Sequence, residues 1–188
     1  MKKLSIKDVT LISLFTALTI VGAYIKIPTP WGVPYSLQFF FALCGGMLLG
    51  SVRGGIAQLI YIALGLLGLP VFADGGGIAY VFMPTFGFII GFAISAFVCG
   101  LLAKKILLNN SLRSFAQKIM LFLCAISGMV ILYFCGATYY FLMKNLYIGS
   151  PISIVVVLTA TTFPYLIKDT ILCAIAALLC LRLQKVKI

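Results

Sequence analysis

The sequence predicts an all-α, polytopic membrane protein: a single domain, residues 1–188, built as a bundle of six transmembrane helices. Only 9% of the residues are charged, against about 25% in typical soluble domains, and the mean hydropathy is +1.22. A soluble chain of 188 residues has too small a core to bury so much apolar surface. Because one span needs about 20 mostly apolar residues, the chain has room for about six.

Stretches rich in proline and glycine mark the ends of the first three spans. IKIPTPWGVP, residues 25–34, contains three prolines and a glycine and cannot continue a helix. GSVRGG, residues 50–55, is predicted to be a tight turn. GLPVFADGGGIAYVFMP, residues 68–84, is irregular but apolar, so it is expected to pack back onto the protein or to line a cavity. The predicted spans are Val9–Ile25, Tyr35–Leu49 and Ile56–Leu67.

The second half of the chain holds three more spans, separated by polar connectors. KKILLNNSLRS, residues 104–114, is one connector, and the second contains Lys144 and Asn145. The apolar segment Ser150–Phe163 is interpreted as a short interfacial helix. The last span is predicted to start near Pro164, because proline suits the first turn of a helix. The predicted spans are Thr85–Leu102, Phe115–Leu142 and Pro164–Leu183.

Basic residues are distributed unequally between the two sides of the membrane. Six spans place both termini on one side, which collects all but three of the 14 Lys and Arg residues. The other side has Lys26 and Lys144, with Lys168 near its edge. Since basic loops face the cytoplasm, both termini are predicted to be cytoplasmic and the irregular stretches to form a pocket on the outer face. This flanking pattern explains the net charge of +11 better than nucleic-acid binding does, because the basic residues form no stripe.

Several classes of function lack the residues that they need. The chain has no histidine and three acidic residues, so neither a catalytic acid–base pair nor a metal site is expected. Its six cysteines show no CxxC spacing and are predicted to be small buried apolar residues. No Walker motif is present, so the chain is not expected to hydrolyse ATP itself. We therefore expect a membrane protein that is not an enzyme and needs no cofactor.

Two adjacent charges, Lys168 and Asp169, open the last apolar segment. Charges inside a membrane usually face a cavity and have a partner, and a helix N-terminus favours a carboxylate. Adjacent helical side chains point about 100° apart, so the two need not pair with each other. The residues alone support two interpretations equally. Either Asp169 accepts hydrogen bonds from a ligand N–H, or it caps the helix while Lys168 snorkels to the interface.

Asp74 and the three glycines that follow it, residues 75–77, are a second candidate. Glycines let a backbone approach a ligand closely, but no GK[ST] follows to make a phosphate loop. A flexible turn is therefore the interpretation that the residues favour. Among isolated amides, Gln38 lies near the outer end of its span and could reach the pocket. Gln58 lies nearer the cytoplasmic end and is predicted to form an interhelical hydrogen bond.

Small or aromatic residues recur at positions that affect helix packing. Small residues at four-residue spacing allow close helix approach, either inside the bundle or against a membrane partner. For Gly87 and Gly91 internal packing is the expected role. The tyrosines near the outer end of the fifth span are predicted to be interfacial aromatics. The small residues are Ser13 and Ala17; Gly46, Gly50 and Gly54; and Gly87 and Gly91; the tyrosines are Tyr133, Tyr139, Tyr140 and Tyr147.

Three stretches carry a resemblance to a known family. They are VGAYIKIPTPWGVPYSLQ, GGMLLGSVRGGIAQLIYIALGLLGLPVFADGGG and MPTFGFIIGF. GLPVFA followed by glycines, together with PT-x-G-x-x-x-G, is specific in a chain of this size. The sequence resembles the BioY family, the biotin-binding S components of energy-coupling factor (ECF) transporters, in register from about Ser13 to Leu181. The resemblance implies a six-helix bundle in the prokaryotic cell membrane that captures biotin at the outer face and delivers it inward.

The resemblance also implies partners. Several members of this family work with a transmembrane coupling protein and two cytoplasmic ATPases, and ATP hydrolysis there drives toppling of the S component, which carries the substrate inward. Ser13 and Ala17 occupy the place of the small-residue face that docks to the coupling protein. Some members are proposed to work without dedicated partners, so a homodimer stays open as an alternative.

The resemblance implies a set of ligand-binding residues. Asp169 takes the place of the aspartate in a helix 6 motif that is roughly P-G-D-x-x-K, and it could accept the N–H groups of the ureido ring of biotin. Leu172 stands where that motif has lysine, and Lys168 is interpreted as a replacement cation. The other implied positions are Gln38 in the loop into helix 2, Gly75, Gly76, Gly77 and Tyr80 in the loop that closes over the ligand, and Trp31 and Tyr35 as apolar walls.

Two alternatives to biotin transport follow from the same sequence. The first is an S component for another small vitamin or precursor, and the altered helix 6 motif is its only support. A membrane scaffold or small integral enzyme, with Lys168 and Asp169 structural or catalytic, is the second alternative. It predicts no tight vitamin binding and no ATPase module that copurifies.

Overall fold

The structure, a computed structural model, describes residues 5–30, 33–108 and 114–184. In these ranges the chain forms seven α-helices and one two-stranded hairpin. The predicted all-α membrane architecture is confirmed, with α6 as a short extra helix. The helices are α1 Ile6–Tyr24, α2 Gln38–Leu49, α3 Ser51–Leu66, α4 Phe86–Leu108, α5 Ser114–Leu142, α6 Ile154–Thr161 and α7 Leu166–Gln184, and the strands are β1 Lys26–Ile27 and β2 Tyr35–Ser36.

Three helical segments in the described ranges are long and apolar enough to cross a membrane. They are Ile6–Tyr24, Phe86–Leu108 and Phe115–Tyr147, the last combining α5 with a π-helical turn. α2 and α3 are apolar but shorter, with 12 and 16 residues. α7 is long enough but carries Lys168, Asp169 and Arg182.

α1 begins with a capping box. The Ser5 side chain accepts a hydrogen bond from the Asp8 backbone N–H, and the Asp8 carboxylate accepts one from the Ser5 backbone N–H. Both bonds satisfy amide groups that the first helical turn leaves unpaired. Asp8 also forms an ion pair with Arg53 of α3, with 3.0 Å between Nε and Oδ1. The contact ties α1 to α3 at the end of the bundle that carries the chain termini.

The predicted turn at residues 50–55 is wrong in extent. Only Gly50, with φ of 85°, interrupts the helices, and α3 starts at Ser51. The glycines that suggested a turn serve helix packing instead. A Cβ on Gly54 would lie 2.6 Å from the Cα of Gly46, so α2 and α3 approach more closely than any larger residue would allow.

α4 packs against α5 through the glycines of the PT-x-G-x-x-x-G stretch. A Cβ on Gly87 would lie 2.9 Å from the Cys135 carbonyl oxygen, and one on Gly91 would lie 3.2 Å from the Cα of Leu132. Their predicted role in internal packing is confirmed. Gln58 of α3 donates to Thr19 of α1 at 3.0 Å, which confirms the predicted interhelical hydrogen bond.

Two irregular loops cover the end of the bundle opposite the termini. The first connects α1 to α2 and contains the hairpin, in which Lys26 pairs with Ser36 and Ile27 with Tyr35. We call the described residues of this connection, 25–30 and 33–37, loop 1. The second, residues 67–85, connects α3 to α4, and we call it loop 3. It contains a 3₁₀ turn at Ile78–Phe82.

The chain between α5 and α7 turns back in short helical steps. α5 ends in a π-helical turn, Met143–Tyr147, and Asn145 exchanges hydrogen bonds with Ile152 across the following bend. α6 corresponds to the predicted short helix. A 3₁₀ turn at Phe163–Tyr165, with Pro164 in its first residues, then leads into α7. The prediction that the last helix starts near Pro164 is confirmed.

Candidate functional site

A cavity opens beneath loops 1 and 3. Its empty volume, including space open to solvent, is about 610 Å³. The wall is mostly apolar and comes from both loops and from α2, α4, α5, α6 and α7. Its lining residues are Val33, Pro34, Ser36, Gln38, Phe39, Ala73, Asp74, Tyr80, Thr85, Phe88, Ile89, Phe92, Leu132, Tyr133, Thr161, Tyr165, Lys168 and Asp169.

Asp169 is the most deeply placed charge on this wall. It lies in the first turn of α7 and is 3% exposed. Its Oδ2 accepts a hydrogen bond of 2.5 Å from the Tyr133 hydroxyl of α5. Its Oδ1 lies 2.9 Å from the Lys168 ammonium nitrogen but has no hydrogen-bond partner of good geometry among the described residues. Within the described part of the chain, one oxygen of a buried carboxylate on the cavity wall is thus paired only with the Lys168 ammonium and has unused capacity to accept a hydrogen bond.

Lys168 pairs with its neighbour, although the angle between adjacent helical residues did not require it. The long side chain bends back to the carboxylate, and the ammonium also donates to the Ser36 carbonyl of β2 at 2.9 Å. It stands 5.7 Å from the centre of the Tyr35 ring. Lys168 therefore joins α7 to loop 1 while it neutralises Asp169. Ionised residues within membrane proteins usually face a cavity and have a partner, and Lys168 and Asp169 meet both conditions.

Gln38 sits at the start of α2, on the cavity wall, and is 4% exposed. Its Oε1 accepts from the Ser36 hydroxyl at 3.1 Å, and its Nε2 donates to the Tyr61 hydroxyl. Tyr61 in turn donates to the Val71 carbonyl at 3.2 Å. The amide is therefore held by loop 1 directly and by loop 3 through Tyr61 of α3, and the structure places it at the cavity as the sequence suggested.

Tyr35 stands behind the wall rather than on it. Its hydroxyl donates to the Pro164 carbonyl at 2.9 Å, and its ring lies 4.5 Å from the ring of Tyr165, which does line the cavity. Trp31, the other predicted apolar wall, lies outside the described residues. Tyr80 lines the cavity, is 5% exposed and packs on Phe72. Burial raises the pKa of Tyr80 above its usual value, so its hydroxyl stays neutral.

The three consecutive glycines shape loop 3 and are not among the lining residues. Gly75 and Gly77 have φ values of 119° and 101°, which only glycine adopts without strain. A Cβ on Gly76 would collide with the backbone of Leu69. The Gly77 N–H donates to the Gly65 carbonyl at 2.7 Å, which fixes the loop to the end of α3. The glycines act on the cavity indirectly, because the loop that they shape holds Asp74 and Tyr80 at the cavity wall.

An ion pair joins the two loops. The Lys26 ammonium of loop 1 lies 2.8 Å from Asp74 Oδ1 of loop 3 and also donates to the Ala73 carbonyl. The Tyr24 hydroxyl, at the end of α1, donates to the Pro70 carbonyl. Loops 1 and 3 are therefore connected to each other and cover the cavity together.

Sequence reasoning missed Tyr133. It was predicted to be an interfacial aromatic, but it is 8% exposed and holds Asp169. Only the position of Tyr133 on a long apolar helix was available as a signal, and that position cannot reveal a partner 36 positions away. Thr161 and Tyr165 also line the cavity without having been predicted. Asp169, Lys168, Gln38 and Tyr80 are brought together as expected.

The small residues of α1 face outward. Ser13 and Ala17 are both exposed, one helical turn apart on the side away from the bundle core. Neither belongs to the cavity. This surface and the cavity therefore lie on separate parts of the molecule.

Comparisons with known proteins identify the family of the chain. The BioY family matches residues 1–187. A "Probable biotin transporter BioY" of Lysinibacillus sphaericus is 38% identical, over 99% of this chain and 91% of that protein. The "Biotin transporter BioY" of Thermotoga maritima is 37% identical, over 93% of this chain and 94% of that protein. A crystal structure of the S-component for biotin from an ECF-type ABC transporter superposes with a TM-score of 0.76 at 27% identity, covering 96% of this chain and 92% of that one. The chain belongs to the BioY family.

Proposed function

We propose that this chain is the biotin-binding S component of a vitamin uptake transporter, a multi-pass protein of the cell membrane. It is a transport protein and not an enzyme. Two relatives that it matches over nearly their whole length are named biotin transporters, and the structural neighbour is an S-component for biotin. In this proposal biotin enters from the outer face beneath loops 1 and 3, and the termini are cytoplasmic.

The observation that carries the proposal is the buried Asp169 carboxylate at a mostly apolar cavity. Biotin has a ureido ring with two N–H donors, an apolar thiophane ring and a valerate chain. A carboxylate acceptor whose Oδ1 lacks a hydrogen-bond partner among the described residues fits a ureido N–H. The phenyl and aliphatic wall, which includes Phe88, Ile89 and Phe92, fits the thiophane ring.

The remaining predicted site residues are proposed to act around this contact. Gln38 and Tyr80 supply polar atoms and apolar surface on the wall, and Lys168 balances the charge of Asp169. Tyr35 supports the wall from behind, the glycines 75–77 set the shape of the closing loop, and Trp31 belongs to the segment between β1 and β2. No cofactor is proposed, and biotin is the substrate.

Equilibrium binding of labelled biotin to the purified protein in detergent tests the proposal. We expect saturable binding at submicromolar biotin that is lost in Asp169→Asn. Asp8→Asn makes the same change at a carboxylate far from the cavity and should retain the affinity. Competition with a panel of vitamins separates biotin from another vitamin as the substrate. Binding that survives unchanged in Asp169→Asn would remove Asp169 from the site, and no biotin binding at all would contradict the function.

The proposed partners are a transmembrane coupling protein with two cytoplasmic ATPases, docked on the exposed side of α1. Ser13→Leu and Ala17→Leu place bulky side chains on that surface without touching the cavity. We expect both variants to bind biotin normally and to lose copurification with the coupling protein. Ala63→Leu, at an exposed position of α3, is the matched control. Copurification that persists in both α1 variants would contradict this docking face and leave a homodimer as the alternative.

A further inference from the structure

Lys168 places a fixed positive charge beside the proposed ligand acceptor. Its ammonium is 2.9 Å from Asp169 Oδ1, and a ligand nitrogen that binds this oxygen would stand about 3 Å from it on the cavity side. The two distances together put the ligand nitrogen within about 6 Å of the ammonium. At such separations in a largely apolar wall, a like charge is strongly disfavoured.

The ammonium is held in place by more than the carboxylate. It donates to the Ser36 carbonyl at 2.9 Å and lies 5.7 Å from the centre of the Tyr35 ring. Its side chain is only 28% exposed, so it cannot move far into water without losing these contacts. The other charged residue on the described wall, Asp74, is already paired with Lys26 at 2.8 Å. The charge of Asp169 is therefore balanced before any ligand arrives.

We propose that Lys168 is a specificity-determining residue that rejects ligands with a cationic ring and admits neutral cyclic ureas. The inference rests on the proposed function, in which Asp169 accepts a ligand N–H. A neutral N–H donor gains a hydrogen bond to Oδ1 and brings no net charge near the ammonium. A guanidinium or ammonium group gains the same bond, but the carboxylate charge is already balanced by Lys168, so a second cation would leave a net positive charge in the cavity. Without Lys168, the buried carboxylate would prefer the cation.

The probe is 2-iminobiotin, in which nitrogen replaces the ureido oxygen so that the ring group is a guanidinium at neutral pH. The unmodified protein should bind only its neutral form, so the affinity should rise about tenfold per unit between about pH 7 and pH 9. Biotin measured over the same range is the control for titration of the groups near the pair: Asp74, Tyr35, Tyr80, Tyr133, Tyr165 and Cys173.

A variant series tests the role of the charge. At about pH 7, Lys168→Met should strengthen iminobiotin binding relative to biotin binding, so the ratio of the iminobiotin Kd to the biotin Kd should fall by about 10- to 1,000-fold. This is the size of effect that one nearby charge has on a second charged group. Lys168→Arg retains the charge and should retain the ratio. Lys144→Met removes the same charge from a lysine outside the cavity wall and should also leave the ratio unchanged.

The outcomes separate this inference from the proposed function. Iminobiotin affinity that is flat from about pH 7 to pH 9 in the unmodified protein would overturn the inference, as would no binding of either form while biotin still binds. An unchanged ratio in Lys168→Met would overturn it as well. If Lys168→Met fails to fold, the pH profile of the unmodified protein decides. Failure of biotin itself to bind would instead contradict the proposed function.

Discussion

Removal of the Tyr133 hydroxyl isolates one contact of the candidate site. Tyr133→Phe leaves the ring in place and deletes the 2.5 Å hydrogen bond to Asp169 Oδ2. Both residues are buried, with 8% and 3% exposure, so water cannot replace the lost donor. A hydrogen bond to a charged group contributes about 1.5–3 kcal/mol. If the bond orients the carboxylate for the ligand, biotin affinity should fall about 10- to 100-fold.

The assay is equilibrium binding of labelled biotin to Tyr133→Phe, Asp169→Asn and the double variant, with biotin concentrations raised far enough to measure the weak binding that remains once submicromolar binding is lost. Because Tyr133 acts through Asp169, the double variant should bind no more weakly than Asp169→Asn alone. Tyr139→Phe is the matched control, since Tyr139 lies on the same helix and its hydroxyl donates to the Val81 carbonyl instead. Wild-type affinity in Tyr133→Phe, or losses that simply add in the double variant, would refute the reasoning.

Three further changes probe the loops. Lys26→Met removes the ion pair between Lys26 and Asp74, whose side chains are 32% and 43% exposed. An ion pair this exposed contributes about 0.2–1 kcal/mol. In a chase experiment bound biotin should therefore dissociate at most about fivefold faster from the variant, and high salt should abolish the difference. Gly65→Ala would drive a Cβ into the Phe72 ring, so we expect the free energy of unfolding to fall by about 1–3 kcal/mol and biotin binding to weaken. An unchanged unfolding free energy would contradict the close packing of Gly65 on Phe72. Gly149 has a φ of 72° and open space around it. Gly149→Ala should therefore lower the free energy of unfolding, followed by thermal melts, by about 1–2 kcal/mol and leave the affinity for biotin unchanged.

Features set by local sequence were predictable. Prolines that cannot continue a helix located loop 1, and Pro164 located the start of the last helix. The adjacent charges 168 and 169 were predicted to face a cavity because ionised groups are costly in a membrane, and both line it. In each case the cause acts within a few residues, so the sequence alone contains it.

Features set by contacts between distant segments were not predictable. Gly54 was predicted to lie in a turn because glycine destabilises a helix. In the structure it is helical, and the close packing against Gly46 that it permits offsets this loss of stability. Tyr133 resembles any interfacial tyrosine until α5 and α7 pack and bring it to Asp169. The glycines after Asp74 were correctly seen as a turn, yet their positive φ values follow from how loop 3 folds over α3.

The shortness of α3 has a consequence for the lipid around the protein. Its 16 residues extend about 24 Å, less than the roughly 30 Å hydrocarbon core of a bilayer. Leu59 and Ile60 on its outer surface are exposed and would meet acyl chains directly. Because tilting would shorten its span further, the adjacent leaflets must thin or flanking side chains must snorkel, at a cost of fractions of a kcal/mol per Å of mismatch. The bilayer that surrounds α3 would therefore carry local elastic strain, and this strain grows with membrane thickness.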